Sequence, residues 1–216
     1  MYLCNMDSNI GLITHGHPYV EIGGVKWATM NIGAKNPKDL GLYFAWGETK
    51  GYAINHGNTY IGHNFSEANY KFRDNDKYSS CDNPIELGLS DDAAHVLWRG
   101  GWRMPTDEDF LNLFKACKSI TVVSDNNGGN VCFECIGNDP NKRLLFPIGG
   151  EAEGNYVMAL NGNACYWGRV KNINTSFCEL DSDMVVFNTR YLSGRAPYHH
   201  GLLIRPILDE TIFKKK

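Results

Sequence analysis

Apolar and polar positions along this chain change their period several times, and each change marks an element. Val20, Ile22, Val25, Trp27 and Met30 are spaced as an edge strand interrupted at Gly23-Gly24. Asn36-Pro37 is a turn signal, and residues 41–47 read as a second strand rich in aromatics. Residues 48–86 are rich in Asn, Tyr, Gly and Asp and show no clear period. They predict long ordered loops with short helical pieces, and loops of that length in a compact domain carry function or variation.

The clearest helix follows the turn Gly101-Trp102-Arg103-Met104-Pro105. Thr106 is its expected N-cap, and Asp109 at N3 gives a short capping box. Phe110, Leu111, Leu113, Phe114 and Cys117 then fall on one apolar stripe. A shorter helix is expected after Leu87-Gly88-Leu89, capped by Ser90 through Asp91 and Asp92, whose charges suit a helix N-terminus. Residues 120–124, 131–136 and 144–148 read as strands joined by turns at 126–129 and at Gly137-Asn138-Asp139-Pro140. Further strands are expected at Tyr166-Trp167, at Met184-Val185-Val186-Phe187 and at Leu202-Leu203-Ile204-Arg205-Pro206, with Trp167 in the core and Arg205 as a structural anchor. Residues 168–183 and 188–201 between them read as irregular and polar. The fold class is therefore α+β, with small mixed or antiparallel sheets, two helices and long loops.

Composition narrows the partners. The chain has 216 residues, enough for one domain with a real core at 43% hydrophobic. The net charge of -3 gives no electrostatic case for nucleic acid or an acidic membrane. Lys214-Lys215-Lys216 reads as a solvated tail. No segment has the length and apolarity of a membrane-spanning helix. Met1 to Val20 has neither an apolar core nor a basic start, so no secretory signal is visible. Seven cysteines spread over this length are not a small-domain disulfide framework.

Catalytic and metal signals are weak. Cys132-Phe133-Glu134-Cys135 has no second pair to complete a zinc site, and residues three apart in a strand point to opposite faces. His15-x-His17 and His199-His200 have no carboxylate or cysteine at chelating spacing. His95 reads as a structural hydrogen-bonding histidine. Asp91-Asp92 is better explained by capping than by acid–base work, since adjacent helix residues do not face one another. Asp181-x-Asp183 offers too few oxygens for calcium. No phosphate-binding loop, dinucleotide fingerprint or nucleophile elbow occurs. No metal, cofactor or catalytic residue is expected.

Several stretches resemble one known family in motif order. They are Tyr19-Val20-Glu21-Ile22-Gly23, the run from Lys26-Trp27 to Gly33-Ala34, the run from Gly41-Leu42-Tyr43-Phe44-Ala45-Trp46 to Glu48-Thr49, the run from Leu87 to His95, and Trp102-Arg103-Met104-Pro105-Thr106. The resemblance is to the Fibrobacter succinogenes major paralogous domain (FISUMP) family, common in Bacteroidetes-type bacteria and their phages. It implies a C-type-lectin-like fold, near the formylglycine-generating enzymes and the variable proteins of diversity-generating retroelements. It implies a domain over 19–208, a linker or leader remnant over 1–18 and a tail over 209–216. Family members often carry export signals, so the resemblance implies a cell-surface, secreted or phage-particle location. The Glu-Pro-Asn, Gln-Pro-Asp and Trp-Asn-Asp signatures of calcium-dependent lectins are missing. So are cysteines beyond Cys178, which an oxidase of the formylglycine-generating type would need.

The expectation is thus a non-enzymatic receptor-recognition protein with a diversified C-terminal surface. The expected contact residues are Arg169, Lys171, Asn172, Asn174, Arg190, Tyr191, Arg195, Tyr198, His199 and His200. Arg and Tyr are favoured at binding hot spots, and Tyr with Asn dominates antibody-type binding surfaces. The ligand would be a protein or a glycan on a cell surface, with oligomeric state left open. The alternative is a fixed adhesin or glycan-binding module without diversification.

Overall fold

The computed structural model describes residues 16–55, 59–73, 77, 85–124, 130–171, 177–181 and 197–215. β1 (Tyr19–Ile22) and β2 (Val25–Ala28) form a hairpin in the register Tyr19↔Ala28 to Ile22↔Val25. The sequence pattern predicts one interrupted strand here. Gly23 and Gly24 both take positive φ, 65° and 75°, so the chain reverses where only a break was expected. Residues 41–47 do not form a regular strand either. Tyr43 pairs with Tyr52 and Phe44 with Leu202 in isolated bridges, because each faces a different partner.

The aperiodic stretch yields β3 (Tyr60–Phe65) and β4 (Ile85–Glu86). Then follow α1 (Ala93–Trp98), β5 (Trp102–Arg103) and α2 (Asp107–Ala116). β6 (Cys117–Val123), β7 (Cys132–Gly137) and β8 (Arg143–Pro147) make a three-stranded antiparallel sheet from the three strands the sequence predicted, while the turn expected at 126–129 lies outside the described residues. β9 (Glu151–Met158) pairs with β3, and β10 (Asn163–Trp167) with β12 (Phe177–Asp181). β11 (Val170–Lys171) pairs with β4. The final paired strand is β13 (Ile207–Leu208), which lies between β2 and β5. The expected ladder through Leu202 and Leu203 is instead two bridges, to Phe44 and to Tyr166. The described residues thus form a mixed α+β structure of small antiparallel sheets with two α-helices. None of these helices is long and apolar enough to cross a membrane. The strand expected at Met184-Val185-Val186-Phe187 lies outside the described residues.

Local sequence explains both helix starts. The Thr106 hydroxyl accepts from the Asp109 amide at 3.2 Å, and the Asp109 carboxylate accepts from the Thr106 amide at 2.8 Å. This is the predicted capping box. Phe110 and Leu113 of the apolar stripe are buried, and Phe110 packs 5.1 Å from the Trp27 ring. At α1 the cap is Asp92 and not Ser90, which sits in the preceding 3-10 turn. Only Asp92 stands three residues before His95, whose amide it accepts at 3.1 Å. The His95 ring in turn lies 3.2 Å from the Trp102 carbonyl, a structural role as expected.

Residues on either side of 19–208 also make contacts with it. His17 stacks on Trp98 with ring centroids 3.6 Å apart, and the Thr29 amide donates to Pro18 O at 3.1 Å. Arg103 ties Asp109 of α2 to Asp209, at 2.8 and 2.9 Å, and Lys26 pairs with Glu210.

Between the sheets Arg205 is fully buried. Its guanidinium donates to Asn31 Oδ1 at 2.8 Å, Ala28 O at 3.1 Å and Leu145 O at 2.7 Å, and lies 4.7 Å from the Phe146 ring centroid. Arg205→Ala should destabilise the protein by at least about 3 kcal/mol, because three buried acceptors lose their donor. Arg205→Lys should recover little, since one ammonium cannot span that fork. Urea unfolding measures both; a change under about 1 kcal/mol for either variant would contradict this account.

Candidate functional site

The expected contact residues divide once their positions are known. Asn172, Asn174, Arg190, Tyr191 and Arg195 lie outside the described residues. Lys171 is placed in β11 by its backbone pairing with Ile85.

Arg169 was expected as a surface contact, and its position is structural instead. Its guanidinium donates to Leu87 O at 3.0 Å and pairs with Glu86 at 3.1 Å and with Asp92 at 3.6 Å. Its own amide donates to Pro105 O at 2.7 Å. Asp92 is buried and also accepts from the Met104 amide at 3.0 Å. Burial pushes the Asp92 carboxyl up, against the amide hydrogen bonds from Met104 and His95 and the charge of Arg169. A guanidinium committed to three neighbours has little left for a ligand.

Tyr198, His199 and His200 are brought together in one tight turn. His200 N donates to Pro197 O at 2.8 Å, and the turn is pinned at Gly201, which exchanges two 2.8 Å hydrogen bonds with Ala152 of β9. On the other side the Trp46 amide donates to Tyr198 O at 2.9 Å, and the Tyr198 ring packs 5.2 Å from that of Trp46. Tyr198 is therefore half-buried rather than free-standing. His200 is 7% exposed, and its Nδ1 lies 3.5 Å from Glu151 Oε2, so it anchors the turn. His199 is half-buried like Tyr198, and its ring meets that of His200 edge-on at 4.9 Å. Partial burial lowers its pKa and the neighbouring His200 adds to this, while Glu67 and Glu153 oppose it.

The turn borders a surface that the sequence did not reveal, the outer face of the β3–β9 ribbon. Tyr60 and Tyr156 pair directly across it, 40% and 58% exposed, with ring centroids 5.8 Å apart and planes at 74°. Met158, 48% exposed, follows on β9. Under the ribbon His63 stacks on Tyr52 at 3.9 Å and meets Phe65 edge-on. The period-2 run Tyr60-Ile61-Gly62-His63 carried the signal for this strand, but nothing nearby in sequence named its partner.

Elsewhere the chemistry is enclosed. Cys117, Cys132, Cys135 and Cys165 are buried. The Cys135 thiol hydrogen-bonds that of Cys117 and holds it below the ordinary thiol value. Cys132 instead approaches Asn130 O, so the two cysteines of the Cys-x-x-Cys stretch serve different contacts. Among the described residues no group of three or more His, Cys, Asp or Glu is placed to hold a metal ion. A polar groove of about 320 Å³ beside Lys26, Arg103 and Asp209 is lined by charges that pair with one another.

Acid should weaken the fold through two histidines. His63 and His199 both have pKa values lowered from 6.5, chiefly by burial. The unfolded chain therefore takes up these protons first, and stability falls as the pH drops below 6.5. Melting temperatures between about pH 7 and pH 5 should fall, and fall less in His63→Gln and His199→Gln. Identical slopes in wild type and variants would rule this out.

Comparison with protein-family models, with curated proteins and with solved structures finds no match for this chain. Its function is accordingly read from the geometry of the turn and the ribbon.

Proposed function

We propose that this chain is a non-enzymatic ligand-binding protein with a C-type-lectin-like fold. It acts as a variable protein of a diversity-generating retroelement, recognising a protein or glycan on a cell surface. The observation that carries the binding part is the turn at residues 197–200. It is held on one side by the Gly201–Ala152 pairing and on the other by Trp46. A backbone fixed in this way holds the half-buried His199 and Tyr198 with little entropy left to lose on binding. Burial keeps the thiols of Cys117, Cys132, Cys135 and Cys165, four of the seven cysteines, away from a substrate. The family resemblance supplies the diversification.

A fixed adhesin or glycan-binding module is the second reading, and one observation favours it. Tyr198 packs on a buried tryptophan and His200 on Glu151, so neither position is suited to free replacement. Deep sequencing of the gene in its native population separates the two. Substitutions concentrated in residues 168–200 on a constant frame would support diversification. Uniformly low variation would remove it and leave the fixed module. For the turn itself, His199→Ala should abolish attachment to the recognised cells at a stability cost under about 0.5 kcal/mol. Tyr198→Ala should also abolish attachment but cost about 1 kcal/mol, because it loses an aromatic contact. Intact attachment in both variants would remove the turn from the site.

A further inference from the structure

We propose that Glu151 is a positioning residue for the turn at 197–200: it directs the first proton that the turn takes up onto His200, and so keeps His199 a neutral imidazole. This names a regulation of the ligand-binding site. Its effect on attachment rests on that reading, whereas the placement of the proton does not.

Two unlike rings stand side by side in the turn. The His199 and His200 rings meet edge-on with centroids 4.9 Å apart. Two imidazolium charges at that separation repel one another, so the turn takes up one proton more readily than two. Which ring carries the first depends on what stands beside each. His200 is 7% exposed, and Glu151 Oε2 lies 3.5 Å from its Nδ1. A carboxylate so close favours the charged form of the ring it faces. His199 is half-buried, and the carboxylates that act on it do so through their charge, from Glu67 in the 3-10 turn Glu67–Asn69 and from Glu153 of β9. They oppose the burial and the His200 charge that lower its pKa, and burial is the largest of these influences. On the opposite side the turn meets Trp46, through a backbone amide and an aromatic contact with Tyr198, and gains no charge there.

Adjacent residues of β9 therefore act on adjacent residues of the chain. Ala152 fixes the backbone of Gly201, and Glu151 fixes the proton on the ring before it. A neutral imidazole both donates and accepts a hydrogen bond, which an imidazolium cannot do. His199 keeps that capacity over a range of pH in which the turn already carries a charge.

This relay has a signature that a purely structural carboxylate lacks. A carboxylate acting directly on a histidine raises its pKa, so removing it lowers that value. Removing Glu151 should do the opposite at His199. The proton is no longer drawn to His200, the repulsion eases, and the His199 midpoint rises.

NMR titration of the imidazole Cε1 protons between about pH 8 and pH 4.5 tests this, with His199 assigned from the His199→Gln spectrum. Glu151→Gln should raise the His199 midpoint, and Glu153→Gln, a direct neighbour, should lower it. In a His200→Gln background, Glu151→Gln should no longer raise it, because the intermediary is gone. Hydrogen exchange at the His200 and Gly201 amides, which donate to Pro197 O and Ala152 O, reports on the turn in the same samples and should be unchanged in Glu151→Gln. A His199 midpoint that stays or falls in Glu151→Gln overturns the proposal. So does a rise accompanied by lost amide protection, since an opened turn relieves burial and raises the midpoint without any relay. Cell attachment should fail at a higher pH in Glu151→Gln than in wild type. The expected midpoints with attachment indifferent to pH in both proteins would overturn the regulatory part and remove the turn from the binding site, while leaving the placement of the proton.

Discussion

The buried guanidinium of Arg205 is the constraint on which the arrangement depends. A charge without water is tolerated only where its donors are satisfied. Here three acceptors come from three places: Ala28 at the end of β2, Asn31 just beyond it, and Leu145 in β8. The Asn31 side chain is itself held by Leu40 O and the Tyr166 hydroxyl, and that hydroxyl donates to Pro147 O. Desolvation lowers the pKa of Arg205 and raises that of Tyr166, so burial acts against the charged form of each. The network therefore fixes how the four-stranded sheet sits against the meander. A small shift would leave buried carbonyls unpaired, at about 1–3 kcal/mol each.

Two further ionic clamps extend this rigidity outward. Asp92 and Arg169 hold α1, the turn into α2 and the β4–β11 pair at one point. Arg103 does the same for α2 and the chain after β13. Both clamps use side chains largely withdrawn from water, where salt screens little. With the frame fixed in this way, the turn at 197–200 and the tyrosine ribbon are held by a shared strand, β9. Ala152 pins the turn and Tyr156 lies further along the same strand. A ligand meeting the turn would find side chains already positioned.

The sequence by itself determined what depends on near neighbours. The capping box of α2 was legible because Thr106 and Asp109 are three residues apart and make their hydrogen bonds within one turn. The meander was legible because each of its strands pairs with the next strand along. Arg205 and Trp167 were expected in structural roles, and both are fully buried. The α+β class followed from the same local signals.

Only the tertiary structure decided what depends on distant partners. Arg169 looked like a surface arginine because nothing adjacent in sequence could pair with it; Glu86, Leu87 and Asp92 arrive from another element. Ser90 was the expected cap of α1, and only the reach of Asp92 to His95 and Met104 moved the cap two residues on. His200 and Tyr198 read as exposed until Glu151 and Trp46 were brought against them. The ribbon is the clearest case, since Tyr60 and Tyr156 become one surface only when β3 finds β9. Backbone pairing across a long loop is set by the burial it permits on the inner face, here Ile61, Phe65, Ala152 and Val157, and that burial is a property of the whole core.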